Sequence, residues 1–242
     1  MKFVLRLALA LLPSLAVACS SGALQQNPED SGVPSNPDAS AGTDAPPTGS
    51  TDAGSDTASD VSVNTDAGGF VDPRDSQRYA TIQIGQQTWL ARNLNFVIAT
   101  ESFCYNDDSK NCDKDGRLYR WKVAPTACPT GFRLGTDDDW KALETAVGMA
   151  ANQLNLEGYS TVRGTDEGTK LKAPDGFGAS HMAGYRTGTT YDALGDRTYF
   201  WVSTTRGSDV WRRRVAAAEP TVFRFTNPPS DFAISVRCVM NQ

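Results

Sequence analysis

The chain has 242 residues, which is enough for one domain of ordinary size or two small ones. Its formal net charge of −5 arises near the N-terminus, because nine of its 28 acidic residues lie between Glu29 and Asp72. Residues 73–242 carry 21 basic and 19 acidic residues and are about neutral. This balance argues against a nucleic-acid-binding protein with a basic face, so no nucleic acid is expected as a partner.

Residues 1–18 have the pattern of a signal peptide. Two basic residues precede an apolar run over residues 7–17. The run is shorter than the about 20 apolar residues that cross a bilayer, but it has the length of a signal-peptide core. It ends in the sequence Ala-Val-Ala-Cys, which fits a bacterial lipobox with Cys19 as the lipid attachment site.

The cysteine count supports lipidation of Cys19. The chain has five cysteines, and an odd number in an exported protein leaves one thiol over. If Cys19 is acylated, four cysteines remain that can form disulfides, and they are Cys104, Cys112, Cys128 and Cys238. Four thiols allow three pairings, between which the sequence alone does not choose. The alternative is a secreted protein with a stray N-terminal cysteine.

The residue after the lipobox cysteine is Ser20 rather than Asp, which favours sorting to the outer membrane by analogy with known bacterial lipoproteins. We therefore expect an exported protein at the outer membrane or cell surface, with the membrane as a partner through its lipid anchor. Several acyl chains on one N-terminus are enough for stable anchoring.

Residues 19–69 read as a lipidated N-terminus followed by a linker. Forty of the fifty residues from Ser20 to Gly69 are Ser, Thr, Gly, Pro, Ala or Asp, and the segment contains no aromatic or basic residue. So little apolar surface cannot offset the entropy of ordering. We expect a disordered tether with a root-mean-square span of roughly 40 Å.

Residues 70–242 are predicted to be one folded domain. Residues 79–84 have the side-chain alternation of a strand, and residues 87–91 can form the returning strand, so the two segments predict a hairpin. Further strands are predicted at 117–121, 199–205, 210–215, 222–225 and 233–239. One clear helix begins after Thr136, with an apolar stripe at Trp140, Leu143 and Val147. The pattern predicts an α+β domain dominated by short strands.

Two charge runs occur in these elements. Asp137–Asp139 occupy the first helical turn, where consecutive side chains point about 100° apart and cannot converge on one ion. We interpret them as charges that complement the helix dipole. Arg212–Arg214 lie in a strand, where neighbouring side chains point to opposite faces, and we expect a solvated face rather than an anion site.

An ordered set of segments resembles the Fibrobacter succinogenes major paralogous domain over nearly all of residues 70–242. The segments that carry the resemblance include Ile84–Asn95, Cys104–Asn106, Gly116–Trp121, Cys128–Leu134, Gly184–Arg186, Phe200–Thr204 and Ser235–Val239. The chain departs from the family at Gly135, where the family usually has Pro, and in the loop 149–168.

A more distant resemblance concerns the fold. Residues 133–140 resemble the helix-opening motif of formylglycine-generating enzymes, and residues 235–239 resemble their closing strand. This resemblance implies a compact, loop-rich, C-type-lectin-like α+β domain with short antiparallel strands. It also implies a bond between Cys128 and Cys238. The remaining cysteines, Cys104 and Cys112, are eight residues apart, which suits a short loop.

No catalytic residue is predicted. The chain has a single histidine, His181, and it contains no Gly-x-Ser-x-Gly motif whose serine this histidine could activate. The late half of the domain holds only Cys238, so the paired copper-binding cysteines of formylglycine-generating enzymes are missing. Neither the calcium motifs of C-type lectins nor a zinc ligand set occurs, and no cofactor is expected.

The one weak calcium candidate is the spacing of Asn111, Asp113 and Asp115 before Gly116. It matches the first half of an EF-hand loop, but Lys122 stands where a bidentate Glu is needed.

The sequence therefore predicts a surface-tethered lipoprotein that carries a non-enzymatic binding module. Its ligand would be a carbohydrate or a protein. The alternatives are an envelope enzyme that acts on a polysaccharide or peptide polymer, and a purely structural envelope protein.

Overall fold

Most of the residues in regular secondary structure are in β-strands of two large sheets. This computed structural model of the protein describes residues 61–62, 69–158, 163–173 and 176–242. The expected signal peptide, Cys19 and nearly all of the expected linker lie outside these residues. The described residues all belong to one unit, Gly54–Gln242.

The described part of the chain contains fifteen strands and three α-helices. The strands are β1 (Val61–Ser62), β2 (Phe70–Val71), β3 (Arg78–Tyr79), β4 (Thr81–Ile84), β5 (Gln87–Leu90), β6 (Ser102–Phe103), β7 (Leu118–Arg120), β8 (Phe132–Leu134), β9 (Ala183–Thr187), β10 (Thr190–Leu194), β11 (Arg197–Arg206), β12 (Asp209–Ala216), β13 (Phe223–Asn227), β14 (Phe232–Ser235) and β15 (Cys238–Met240). The helices are α1 (Ser109–Asp115), α2 (Asp137–Ala146) and α3 (Glu167–Lys172).

The smaller of the two large sheets has the strand order β1-β4-β5-β15-β8, and the larger has β13-β12-β11-β9-β14-β7-β6 with β10 paired to β9. Strands β2 and β3 form a separate pair. The architecture is mostly β with three helices, in agreement with the expected α+β class. Within the described residues, no helix is long and apolar enough to cross a membrane.

The predicted N-terminal hairpin is confirmed. Strands β4 and β5 pair in antiparallel register, with Ile84 opposite Gln87. Alternation places Ile82 and Ile84 in the core, while Gly85 takes the positive φ of 57° that the two-residue turn requires. In addition, Val61–Ser62 pair with β4, so this part of the expected structureless linker is a strand.

The larger sheet differs from the expected set of short antiparallel strands. Strand β11 has ten residues and pairs in parallel with both β9 and β14. The hairpin of β9 and β10 was not predicted, because β10 lies outside the core and alternates only between exposed and half-buried residues. Its partner contains Gly184 at φ 65°, where a Cβ would lie 2.3 Å from the Asp192 carbonyl oxygen.

The predicted last strand over residues 233–239 is in fact two strands in different sheets. The chain leaves the larger sheet after Ser235 and enters the smaller one at Cys238. Arg237 occupies the crossing with a fully buried guanidinium, whose Nη2 donates to Asn93 Oδ1 at 2.7 Å. The same guanidinium donates to the carbonyl oxygens of Leu90 and Phe177. These bonds fix the point at which the strand breaks.

Helix α2 begins where the sequence predicts. The Thr136 hydroxyl accepts from the Asp139 amide and the Asp139 carboxylate accepts from the Thr136 amide, which makes a capping box. The stripe of Trp140, Leu143 and Val147 packs into a core that both large sheets share. Helices α1 and α3 were not predicted, because seven and six residues are too short for a periodic apolar stripe.

A buried ion network joins α2 to the larger sheet. Arg213 on β12 donates its Nε to Glu144 at 2.7 Å and its Nη1 to Asp137 at 2.9 Å. Arg224 on β13 donates to both oxygens of Asp137, at 2.9 and 2.7 Å. Arg163 donates to the second oxygen of Glu144 at 2.5 Å. Asp137 is therefore more than a helix-dipole charge, since it connects one helix to two strands.

The expectation of a solvated face at Arg212–Arg214 is wrong. Their exposed fractions are 3%, 0% and 6%. Strand β12 lies between β11 and β13, and both of its faces are covered. Arg213 faces α2, while Arg212 and Arg214 face a layer of aromatic side chains, because alternate residues of a strand point to opposite sides.

The structure contains two disulfides, Cys104–Cys112 and Cys128–Cys238. The second is the pair that the resemblance implied, and the first is the pair whose spacing suits a short loop. Cys128 precedes β8 and Cys238 begins β15, the neighbouring strand, so this bond closes most of the domain on itself.

We expect Cys128→Ala to destabilise the domain more than Cys104→Ala. The bonds span 110 and 8 residues, for which the chain-entropy treatment gives about 4.7 and about 2.5 kcal/mol. Cys238→Ala should match Cys128→Ala in urea unfolding. Peptide mapping without reductant checks the pairing, and a peptide that joins Cys104 to Cys128 or Cys238 would contradict it.

We expect Asp137→Asn to lower the free energy of unfolding by about 3 kcal/mol, because it leaves buried arginines without their carboxylate. Burial raises the pKa of Asp137, but the bonds from Arg224 and the charge of Arg213 outweigh it and hold the pKa well below its usual range. The unfolded carboxyl therefore takes up its proton first as the pH falls, so wild-type stability is lost below about pH 4.

Chemical denaturation at several pH values measures this acid dependence. The Asp137→Asn protein should show a flatter decline between about pH 4 and about pH 2 than the wild type. Asp138→Asn is the matched control, because Asp138 lies in the same turn with its side chain 93% exposed. Parallel curves for Asp137→Asn and the wild type would refute the role of the network.

Candidate functional site

The calcium candidate does not form a loop. Asn111, Asp113 and Asp115 lie on helix α1, where residues two apart point in widely different directions. The Asn111 amide donates to the Tyr105 carbonyl oxygen at 2.9 Å, and Asp115 is buried while Asp113 is exposed. Within the described ranges, no three His, Cys, Asp or Glu side chains are grouped to hold a metal ion.

The single histidine pairs with a buried carboxylate. His181 Nδ1 lies 3.4 Å from Asp115 Oδ1, and the imidazole is 29% exposed. The same Asp115 provides the backbone oxygen that accepts from the Asn93 amide at 2.8 Å. These contacts connect α1 to the segments that follow β5 and precede β9. We therefore interpret the role of His181 as structural.

The candidate site lies on the face of the larger sheet that points away from α2. Register pairs Arg212 with Trp201 on β11 and with Phe225 on β13, and it pairs Arg214 with Tyr199 and Phe223 in the same way. Arginines in the middle strand are thus flanked by aromatic residues in both neighbouring strands. We call this surface the arginine–aromatic face.

A cavity of about 200 Å³ opens on this face, and we call it the aromatic pocket. Its lining residues come from five strands and are Tyr185, Tyr199, Arg212, Phe225, Asn227, Phe232 and Ile234. Tyr185, Tyr199 and Phe232 are only half-buried, so their rings are available at the opening.

The aromatic rings of the pocket form a continuous row of contacts. The Tyr185 ring is 5.4 Å from Tyr199 and 5.9 Å from Phe232, and Tyr199 is 6.3 Å from Phe225. Two of these contacts are edge-to-face, an arrangement that aromatic quadrupoles favour. These ring contacts hold the walls of the pocket together.

Arg212 supplies the charge of the pocket. Its guanidinium lies 4.5 Å from the Trp201 ring and 4.9 Å from the Phe232 ring. Its Nη2 donates to the Pro228 carbonyl oxygen at 2.8 Å, which holds the loop after β13 against the pocket. These cation–π contacts and the hydrogen bond orient the guanidinium.

Polar groups line the rim. The Tyr185 hydroxyl donates to Asp192 at 3.0 Å, and burial together with this bond raises the pKa of the Tyr185 phenol. Tyr185 therefore presents a neutral hydroxyl group, and the exposed Asn227 adds an amide that can donate and accept. The pocket thus combines apolar rings, one cation and neutral hydrogen-bonding groups.

Two other cavities are less suited to a ligand. One of about 420 Å³ is lined by charges that already pair, since Lys122 and Arg120 both approach Glu101, at 3.2 and 4.0 Å. The other, of about 500 Å³, is an open depression between the β4–β5 turn and α2. Neither brings several half-buried aromatic rings together.

The sequence could not locate the aromatic pocket, because its residues lie on strands that are far apart in the chain. A signal was nevertheless present, since Tyr199, Trp201, Phe223 and Phe225 alternate within their strands. Alternation of this kind places aromatic residues on one face of a sheet. Which face is open to solvent depends on where α2 packs.

Comparison with known families identifies the chain. The family model of the Fibrobacter succinogenes major domain matches residues 82–240. The chain belongs to this family. In this chain, the part that matches the Fibrobacter succinogenes major domain includes every residue that lines the aromatic pocket and all four disulfide-bonded cysteines. Comparisons with curated proteins and with solved structures found no match.

We expect calcium to leave the thermal stability of the domain unchanged, because α1 separates the oxygen atoms that an EF-hand loop would bring together. Melting temperatures measured with millimolar calcium and with a chelator should agree. Magnesium is the control for a general ionic effect. A rise specific to calcium that disappears in Asp113→Asn would show that the candidate residues bind the ion.

Proposed function

We propose that this protein is an exported lipoprotein, anchored through Cys19 at the outer membrane or cell surface, whose domain is a non-enzymatic binding module. The observation that carries the proposal is the aromatic pocket. Half-buried aromatic rings surround one cation there, and a concave site with a few converging polar groups is typical of ligand binding.

The chemistry of the pocket supports a binding role over a catalytic one. None of its seven lining residues is an acid, a histidine, a cysteine or a serine. General acid–base catalysis needs a group that gains and loses a proton near neutral pH, and the Tyr185 phenol, whose pKa is raised, does not. The pocket offers recognition groups, and its ligand would be a carbohydrate or a protein.

The proposed fold is C-type-lectin-like. The Cys128–Cys238 bond joins the segment before α2 to the last strand, as in the lectin pattern. The chain also passes through the larger sheet and returns to β15 beside β5, near its beginning. A domain whose ends approach each other suits attachment to one tether.

The binding proposal is tested on a glycan array with the detergent-solubilised full chain. We expect the wild type to bind at least one glycan class. Tyr185→Ala should weaken that binding about ten-fold or more, as loss of an aromatic anchor does at other interfaces. Tyr191→Ala is the matched control, because Tyr191 is a half-buried tyrosine of the same hairpin that contacts Tyr105 on the other face.

Melting temperatures establish that the two variants are equally folded. Equal binding by Tyr185→Ala and Tyr191→Ala would contradict the placement of the ligand in the aromatic pocket. If the wild type binds neither a glycan nor an envelope protein displayed on the same array, the binding module itself is refuted.

The anchor is tested separately. We expect Cys19→Ala to release the protein from membranes, because it removes the thiol to which the acyl chains attach. Partitioning of the wild type and the variant between detergent and aqueous phases measures the change, with Cys104→Ala as the control for loss of a cysteine. A wild-type N-terminus without acyl groups in mass spectrometry would refute the anchor.

A further inference from the structure

We propose that the Cys104–Cys112 disulfide is a reversible redox site, which a dithiol reductant opens while the Cys128–Cys238 disulfide stays closed. This inference goes beyond the proposed binding function and concerns a part of the domain outside the aromatic pocket. It follows from the cation that contacts the first bond, from the surroundings of the two bonds and from the length of chain that each bond closes.

A cation lies against both sulfur atoms of the Cys104–Cys112 bond. Arg117 Nη1 donates to Cys104 Sγ at 3.2 Å and to Cys112 Sγ at 3.4 Å. The Arg117 side chain is half-buried, so solvent screens its charge only in part. A neutral disulfide gains little from a neighbouring positive charge, whereas a thiolate gains much, because an adjacent arginine lowers the pKa of a cysteine thiol. The contact therefore stabilises the reduced form more than the oxidised form.

The Cys128–Cys238 bond has apolar surroundings instead. Cys238 is fully buried on β15, between β5 and β8. It belongs to an apolar core cluster, and Cys128 packs against the same cluster. Apolar surroundings raise the pKa of a thiol and disfavour the thiolate. The environment of this second bond therefore favours the disulfide.

The Cys104–Cys112 bond lies at the periphery of the domain. Cys104 is half-buried and directly follows β6, the last strand of the larger sheet. Residues 106–110, in the loop that the bond closes, are all exposed. Cys112 is only 4% exposed. A reductant therefore attacks Cys104 Sγ, and Cys112 is the thiolate that leaves.

The exchange with a dithiol proceeds in two steps. In the first step, a thiolate of the reductant attacks Cys104 Sγ and forms a mixed disulfide, while the electron pair of the broken bond leaves on Cys112 Sγ, beside Arg117. In the second step, the other thiol of the reductant loses its proton and attacks the reductant sulfur of the mixed disulfide. Cys104 then leaves as a thiolate and takes up a proton. The reductant loses two electrons and becomes a disulfide, and an oxidised dithiol reverses both steps.

Opening the Cys104–Cys112 bond costs the fold less than opening the other bond. The two bonds span 8 and 110 residues, and a bond that closes a shorter loop restricts the unfolded chain less. Helix α1 also has contacts that do not involve sulfur. The Asn93 amide donates to the Asp115 carbonyl oxygen at 2.8 Å, and His181 Nδ1 lies 3.4 Å from the Asp115 carboxylate. We therefore expect the domain to remain folded after reduction.

Equilibration of the detergent-solubilised full chain with reduced and oxidised dithiothreitol at about pH 7 tests this inference. Rapid alkylation with iodoacetamide, followed by peptide mapping, measures each bond separately. We expect Cys104–Cys112 to be half open at a ratio of reduced to oxidised reagent about ten-fold or more below the ratio that opens Cys128–Cys238. Transfer to oxidised dithiothreitol should close the bond again.

Arg117→Gln should raise the ratio needed to open Cys104–Cys112 by about ten-fold, because it removes the charge that favours the thiolate. Arg117→Lys keeps this charge and should retain most of the effect. Arg92→Gln is the matched control, because the half-buried Arg92 donates to the carbonyl oxygens of Asp113 and Lys114 in the helix that carries Cys112. We expect Arg92→Gln to leave the ratio unchanged.

Opening of both bonds at the same ratio, or of Cys128–Cys238 first, would overturn the inference. It would also fail if Arg117→Gln opened at the same ratio as the wild type and Arg92→Gln, since the guanidinium would then not favour the thiolate. If Arg117→Gln does not fold, the comparison of the two bonds in the wild type still decides the question.

Discussion

The fold depends on a small set of arginine–carboxylate contacts buried between helix α2 and the larger sheet. Two acidic residues of one helix, Asp137 and Glu144, bind arginines from two strands and from the segment before α3. Such groups cost free energy to bury, and an apolar interface of the same volume is often at least as stable. Their geometric effect is different, because directional bonds to fixed positions allow α2 only one rotation and one register on the sheet.

That constraint also determines what the opposite face of the sheet can do. Arg213 points toward α2, so its neighbours Arg212 and Arg214 must point to the other side of β12. There they are covered by aromatic side chains instead of a helix. Arg214 is held by Glu219, and Arg212 lies at the base of the aromatic pocket. The strand thus carries one arginine that binds α2 and, on its other side, two arginines that differ in their neighbours, Glu219 for Arg214 and the aromatic pocket for Arg212.

Local features of this fold were predictable, and long-range ones were not. Thr136 and the aspartates after it identify the start of α2, and alternation identifies the β4–β5 hairpin, because both signals act over a few residues. The run Arg212–Arg214 predicts exposure if it is considered alone. No local signal shows that Asp137 and Glu144, some seventy residues earlier in the chain, bind Arg213 in the interior. The break at Arg237 was missed for the same reason, since the carbonyl oxygens that bind its guanidinium belong to distant segments.

The dependence of the fold on the buried network is tested most directly by a double-mutant cycle between Arg213 and Glu144. Urea unfolding of Arg213→Met, Glu144→Gln and the double variant gives the free energy of coupling between the two side chains. Residues in direct contact within one network couple by about 0.5–3 kcal/mol, and for a pair with no solvent exposure we predict a value of about 2 kcal/mol. A coupling energy near zero would contradict the view that this contact holds α2 against the sheet.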